Sequence, residues 1–361
     1  MENKIKCTCS ICEKRNYNSE DYYVDMSFLT KDRPVGISGL LRVRNDAEFL
    51  SDCIDSCIDA LDELIICYQD CEDNAPEIIW KKQQQYPQKI KVYYYAPPVL
   101  CWGLTEEESK FAFSLPDTSI HKLCNYYNYT LSKATYRYAM KIDTDQIYFT
   151  NKLKRYCDAY RKESKLSMSI GDYLGKYYNI IYRCIMTKYT FLFPLDFFSQ
   201  IPMVRRWIMK TYENYLIKEI TNNKYALSLS GINMEYKDGK WRVLNRLPFN
   251  GTNDHLIFCI TKDTYYITFD GYSAPIEKMC YYNRLLSGGW FWYHLQAMRK
   301  RSVELSKEWL DIASVSDVSG IHTAWSGVYK SLWLFGEAYE KDIPAPSELL
   351  KDTTCNLKRR K

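Results

Sequence analysis

No run of apolar residues in the chain approaches the roughly 18 needed to cross a bilayer, so a membrane-spanning helix is not expected. The first residues, Met1-Glu-Asn-Lys-Ile-Lys-Cys7, lack the apolar centre of a secretory signal, and the expected compartment is the cytoplasm. Charge of one sign is scarce: a net +5 over 361 residues is too dilute for a nucleic-acid partner, and only Lys358–Lys361 is a concentrated basic run. Internal repeats, low-complexity segments and a clear linker are absent as well, so nothing cuts the chain into independent pieces. Cys9-x-x-Cys12 has no second Cys-x-x-Cys to match it. Zinc at Cys7, Cys9 and Cys12 needs a fourth ligand, and without one the cluster carries no metal assignment.

What is present fits a globular α/β enzyme. The hydrophobic fraction is 46% and the charged fraction 26%, ordinary for a soluble fold of one large domain or two smaller ones. Fourteen cysteines read as reduced, mostly buried thiols, with Cys53/Cys57 and Cys67/Cys71 as packing pairs. Tyrosine is the outlier at 33 copies, and a Tyr-rich core explains most of them.

Val35–Leu41 is a short apolar run typical of a buried strand. Phe49, Leu50, Cys53, Ile54, Cys57, Ile58 and Leu61 then recur at helical spacing, with Asn45 or Asp46 as N-cap. Glu63–Tyr68 reads as a second strand, Pro76 opens a second helix, and Lys89–Tyr95 is a third strand. Such alternation predicts right-handed crossovers and a doubly wound, mostly parallel sheet, with ligands outside the carboxyl ends of the strands. Ile120–Ser132 is helical, and Tyr138–Tyr148 is a strand on which Asp143 and Asp145 emerge on one face. Two carboxylates so placed are costly unless a hard cation joins them. Beyond Thr150 the pattern predicts helices over 152–163 and 208–220, strands over 167–171, 177–184, 241–244 and 256–260, and a helix from Pro275 to Leu286.

Three stretches in this order, Arg42-Val-Arg44-Asn45-Asp46, Asp70-Cys-Glu-Asp73-Asn74 and Lys141-Ile-Asp143-Thr-Asp145, resemble the nucleotide-sugar glycosyltransferases of the GT-A fold. The likeness is to the inverting family of bacterial capsule and lipopolysaccharide enzymes, over about 35–150. It implies a GT-A, Rossmann-like sheet with a mixed acceptor-side region. An N-terminal extension (1–34), a nucleotide-sugar half (35–150), an acceptor half (151–300) and a helical C-terminal extension (301–361) follow.

The resemblance also implies a metal-dependent enzyme moving a sugar from a UDP-sugar to an oligosaccharide or lipid-linked glycan. Asp145 is then the ligand of Mn2+ or Mg2+, and His294 a further ligand that favours manganese. Asp143 and Asp73 take the nucleotide, and Arg42 or Arg44 a phosphate. Asp254 is the base that inversion requires, with Asp270 and Glu277 behind it. Lys141, Asp70, Glu72 and His255 are weaker candidates, and Trp290 and Trp292 are either a sugar-stacking platform or core. A stripe from Trp325 to Tyr339, with the basic tail, is either a docked helix or a peripheral contact with the inner membrane surface. Two rivals stand beside this reading. A nucleotidyltransferase shares the acidic rim but usually has glycine after its first strand, which Arg42–Asp46 lacks. The other is a non-catalytic glycan- or partner-binding module on a retained fold.

Overall fold

The computed structural model describes residues 7, 9–15, 17–187, 202–244, 249–271, 274–280, 284–299, 309–312 and 349–350. Two compact units interleave along the chain. One comprises Met1–Ala47, Asp62–Ile142 and Phe258–Asn283; the other comprises Glu48–Leu61, Asp143–Ile257 and Arg284–Lys361.

The first unit is organised by four parallel strands, β1 (Ile37–Val43), β2 (Glu63–Tyr68), β3 (Ile90–Tyr94) and β4 (Tyr138–Ile142), in the order β4-β1-β2-β3. Leu40, Leu41, Ile65 and Ile66 are wholly buried, as expected of parallel strands covered on both faces. Val43 pairs with Tyr68 and Leu41 with Ile142, so Arg42–Asp46 and Asp70–Asn74 leave the same edge of this sheet. The helices α1 (Ser10–Glu13), α2 (Ala47–Cys57), α3 (Ala75–Gln85), α4 (Glu106–Ser114) and α5 (Leu123–Ser132) follow in chain order; of α2, only Ala47 belongs to this unit.

Residues Cys124–Leu131 of α5 are all buried, so its polar groups need partners inside the protein. Asn128 exchanges two 2.8 Å hydrogen bonds with the backbone of Tyr266, and the Tyr126 hydroxyl donates to the Cys67 carbonyl at 2.6 Å. The rings of Tyr95, Tyr126 and Tyr129 pack together, with centroids 4.6 and 5.0 Å apart around Tyr95. The tyrosine surplus is therefore core here. At the start of β2 the buried Glu63 carboxylate accepts hydrogen bonds from Ser38 Oγ and the Thr135 backbone at 2.6 Å, and from Thr135 Oγ1 and Lys91 Nζ.

Residues 275–286 are not the helix expected. β9 (Tyr266–Phe269) and β10 (Ile276–Met279) form an antiparallel hairpin, and Leu285 already begins the next strand. The Asp270-Gly271 turn signal between them outweighs a weak helical periodicity.

In the second unit β6 (Ala226–Lys237) is central. It runs antiparallel to β7 (Lys240–Leu244) and β8 (Phe249–Cys259), and parallel to β11 (Leu285–His294). β11 also pairs antiparallel with β5 (Gln146–Tyr148), and β7 with β12 (Trp309–Ile312). Ser56, near the end of α2, accepts the Tyr148 N–H on its hydroxyl at 3.0 Å, and its carbonyl accepts from the Thr150 hydroxyl at 2.8 Å. That fixes the start of α6 (Thr150–Arg161).

The strands expected at 167–171 and 177–184 do not form: 167–169 has no regular structure, and α7 (Ile170–Thr187), packed on α8 (Pro202–Asn223), takes up the rest. Ile170, Tyr173, Leu174, Tyr177 and Ile180 fall at helical spacing, and this period overrides the β-propensity of tyrosine and isoleucine. Gly175 permits the contact, since a Cβ there would stand 2.3 Å from the Thr211 carbonyl oxygen.

The expected α/β class, mostly parallel in one part and mixed in the other, holds. Of the expected helical C-terminal extension only 309–312 and 349–350 are described: Trp309–Ile312 is a strand and Leu349 is helical. The Trp325–Tyr339 stripe and the basic tail lie outside the described residues. Among the described residues no helix is long and apolar enough to cross a membrane.

Candidate functional site

β4 ends at Ile142 and β5 begins at Gln146, so Asp143-Thr144-Asp145 is a turn between two short strands. The expectation of two carboxylates on one strand face is thereby corrected. The Asp143 side chain is 38% exposed and that of Asp145 only 6%, and each meets its own histidine.

Strand pairing builds the surroundings of Asp145. In register, His294 on β11 stands opposite Gln146 on β5 and Asn233 on β6, and residues directly opposite across a ladder share a face. The Nδ1–H of His294 donates to Asn233 Oδ1 at 2.6 Å, which leaves Nε2 facing Asp145 Oδ2 at 3.4 Å. Arg299, just after β11, reaches the same oxygen through Nε at 3.1 Å and donates to Thr144 Oγ1 at 2.7 Å. The Leu295 N–H closes the turn on the Asp145 carbonyl at 2.9 Å. Burial by itself would raise the Asp145 carboxyl, but His294 and Arg299 outweigh it and hold the group below its ordinary range.

Asp143 is held differently. Its Oδ2 lies 2.8 Å from Nε2 of the buried His255, and its N–H donates to Gln146 Oε1 at 3.2 Å. Trp292 packs 5.1 Å from the His255 ring, centroid to centroid. Cys53 donates its thiol to the Asp143 carbonyl at 3.3 Å, so the turn is braced while the Asp143 carboxylate keeps a solvent-facing side.

Residues 14–179 match the sequence profile of the family described as beta-1,4-N-acetylgalactosaminyltransferase (CgtA). All three stretches that carry the resemblance lie inside that match. This stretch is of glycosyltransferase type. Solved structures similar to the chain include glucosyl-3-phosphoglycerate synthase from Mycobacterium tuberculosis, in complex with Mn2+, uridine diphosphate and glucosyl-3-phosphoglycerate. It is 17% identical over 34% of this chain and 37% of that one, with a TM-score of 0.20. S. aureus TarS 1–349 is 10% identical over 73% of this chain and 61% of that one, with a TM-score of 0.32. The chain thus spans less than two thirds of either. No curated protein matches it in sequence.

The other residues singled out in the sequence lie as follows. Arg42 lays its guanidinium over the Tyr127 ring, 3.6 Å from the centroid, and Arg44 is exposed. Asp73 accepts from the N–H of Ala47, the first residue of α2, at 2.9 Å, and from Ala75, the first of α3, at 3.1 Å. It therefore caps two helices. Asn45 adopts a left-handed φ of 58° and accepts from the Glu72 N–H at 2.6 Å, tying the two candidate loops together. Asp70 accepts a hydrogen bond from the Tyr94 hydroxyl. Lys141 and Glu277 form an almost fully buried ion pair at 2.9 Å, which leaves Glu277 poorly suited to remove a proton.

Asp254, expected on a loop, lies on β8. The pairing of β8 with β6 is interrupted between His255 and Asn250, so Asp254 falls in an irregular part of the strand. Its side chain is outside the described residues. Asp270 follows directly on β9, at the hairpin turn. Trp290 and Trp292 are 1% and 0% exposed and are core, not a stacking platform. Trp102 is an exposed tryptophan, and it lines a cleft of about 590 Å³ with Glu106, Lys110 and Phe113.

Asn233, Gln146 and Arg299 were not legible as site residues. Their roles come from strand register and chain return, and no local motif marks them.

Proposed function

We propose that the chain transfers a sugar from a uridine diphosphate donor to a glycan or lipid-linked acceptor, with inversion and with a divalent metal at Asp145 and His294. The observation that carries this reading is the pairing of Asp145 Oδ2 with His294 Nε2, whose other ring nitrogen is anchored on Asn233. A carboxylate oxygen beside an imidazole nitrogen is a donor set for a manganese-type ion, and the anchored Nδ1–H is the outer support such ligands usually have. Bound there, the cation would neutralise charge gathering on the departing nucleoside diphosphate.

In this reading Asp145 and His294 hold the ion. Asp143 accepts from a ribose hydroxyl, oriented by His255. Arg299 balances the Asp145 charge until a ligand does. Asp254 removes the acceptor's hydroxyl proton. Arg42, Arg44 and Asp73 are proposed nucleotide contacts on sequence grounds alone. The family description makes UDP-N-acetylgalactosamine the first donor to try, and a bacterial surface polysaccharide on the cytoplasmic face of the inner membrane is the proposed setting.

The test is calorimetric titration with a panel of UDP-sugars, with and without Mn2+, followed by a UDP-release assay with glycan acceptors and assignment of the product anomer. Nucleotide binding indifferent to metal, with no UDP released, would favour a binding module. Exchange between a sugar phosphate and UTP would favour the nucleotidyltransferase.

A further inference from the structure

The cysteine cluster that lacked a fourth ligand in the sequence acquires one in the fold. Cys7, Cys9, Cys12 and His121 bring their sulfur and nitrogen atoms within 4.8 Å of one another. All four belong to the first unit, and the Asp145 turn belongs to the second. The short helix α1 begins at Ser10, directly after Cys9, and residues three apart on a helical turn share a side. The thiols of Cys9 and Cys12 accordingly face one point, each 3.2 Å from His121 Nε2.

We propose that these residues form a structural zinc site of the Cys3His type. Four ligand atoms around tetrahedral zinc, with Zn–S about 2.3 Å and Zn–N about 2.0–2.1 Å, stand roughly 3.5–3.8 Å apart. The observed spacing needs only small side-chain adjustment to reach that. The three cysteines are free thiols, so no disulfide competes for them.

The imidazole is arranged as a ligand. His121 is wholly buried, and its Nδ1 lies 2.9 Å from the Pro98 carbonyl oxygen. A carbonyl only accepts, so Nδ1 carries the proton and Nε2 presents its lone pair to the sulfurs. The segment bearing His121 is fixed before any ion arrives. Its carbonyl accepts from the Leu100 N–H at 2.9 Å, and the neighbouring Ile120 carbonyl accepts from the Tyr95 hydroxyl at 2.7 Å. On the other side, Tyr17 OH lies 3.4 Å from Cys12 Sγ and the Cys7 N–H donates to Ser19 Oγ at 3.1 Å. Zinc here ties the amino-terminal segment to the loop entering α5. Because thiolates and a neutral imidazole are the ligands, binding releases the thiol protons as the ion is taken up.

The experiment is metal analysis of the full chain, purified under reducing conditions without chelator, together with absorption spectroscopy after exchange to Co2+. The expected result is one zinc per chain, with the thiolate charge-transfer and strong d–d bands of tetrahedral cobalt. His121→Ala is expected to weaken zinc binding by about a hundredfold or more. His121→Cys, which keeps four ligands, is expected to retain the ion with a four-sulfur spectrum, and this covers the case in which the alanine variant fails to fold. Asp145→Asn should leave the zinc content unchanged, which separates this site from the proposed donor-side metal. Wild-type protein holding well under one equivalent of zinc, or showing only the weak spectrum of octahedral cobalt, overturns the proposal. So does a disulfide linking two of these cysteines in freshly purified protein.

Discussion

His294 and Asn233 stand opposite each other in the β11–β6 ladder, and their 2.6 Å hydrogen bond turns the histidine's Nε2 toward Asp145. Asn233 touches no ligand in the proposed mechanism and acts by positioning. Asn233→Ala should therefore weaken Mn2+ binding by about 10- to 100-fold, with activity recovered at high Mn2+. Asn233→Asp, which still accepts from Nδ1–H, should retain most of the affinity. Manganese titration followed by electron paramagnetic resonance reads both. Equal loss in the two variants, without recovery at high metal, would mean the bond serves folding only.

Asp145→Asn preserves shape and removes the charge. If Asp145 is the metal ligand, metal-dependent UDP release should fall about a hundredfold or more, and the thermal midpoint should also fall, because His294 and Arg299 lose the buried charge they face. The carboxylate is buried against His294 and Arg299. Full metal-dependent turnover in this variant would remove the proposed site.

Arg299 occupies the oxygen that the ion is proposed to take, 3.1 Å from Asp145 Oδ2. Its guanidinium is partly solvated, so the competition it offers is modest, about 1 kcal/mol. Arg299→Gln should tighten nucleotide-free Mn2+ binding by about three- to tenfold. It should also let the Asp145 carboxyl rise toward its ordinary range, because a lowering influence is lost while burial remains. Unchanged or weaker metal binding would show that Arg299 supports the site instead of competing for it.

The sequence was most informative where one element carries the signal. The order of β1, β2 and β3 follows from local pattern and spacing; His294 beside Asp145 was implied by the family resemblance alone, and Asp143-Thr-Asp145, read as part of a strand, is a turn. Long-range returns were hidden. Asp73 has the right residue type for a nucleotide contact, yet its two oxygens meet the N–H groups that open α2 and α3. Trp290 and Trp292 looked equally suited to surface or core, and β11 is buried along most of its length. His121 lies 109 residues beyond Cys12, outside any spacing rule for zinc ligands. The tyrosines misled α7, because propensity favours strand while only the period of three and four reveals the helix.

Gly231 faces Trp292 so closely that an added Cβ would lie 1.9 Å from the indole Nε1. Trp292 is wholly buried beside Tyr148 and His255, and it has nowhere to move. Gly231→Ala should destabilise the protein by about 1–3 kcal/mol or more through overpacking, measured by urea unfolding. Because Trp292 packs on His255, the same variant should also weaken nucleotide binding at Asp143. A stable variant with unchanged binding would show that β6 can shift without cost.

Glu63 provides a test by pH. Burial would raise its carboxyl above the usual 4.5, but Lys91, Ser38 and Thr135 together pull it below. A carboxylate whose folded pKa is depressed binds its proton more readily when unfolded, so stability rises with pH through that interval. The contribution is complete above about pH 5, and it fades as pH falls through 4.5 toward the depressed folded value. Glu63→Gln removes it. Lys91 is 40% exposed and can regain water, so the loss is discounted to about 1–3 kcal/mol at neutral pH. Urea unfolding of wild type and variant from pH 7 down to pH 3 checks this: the two curves should be separated at neutral pH and converge in acid. A constant gap at every pH would show that Glu63 acts through shape and hydrogen bonding alone, with no contribution from its charge.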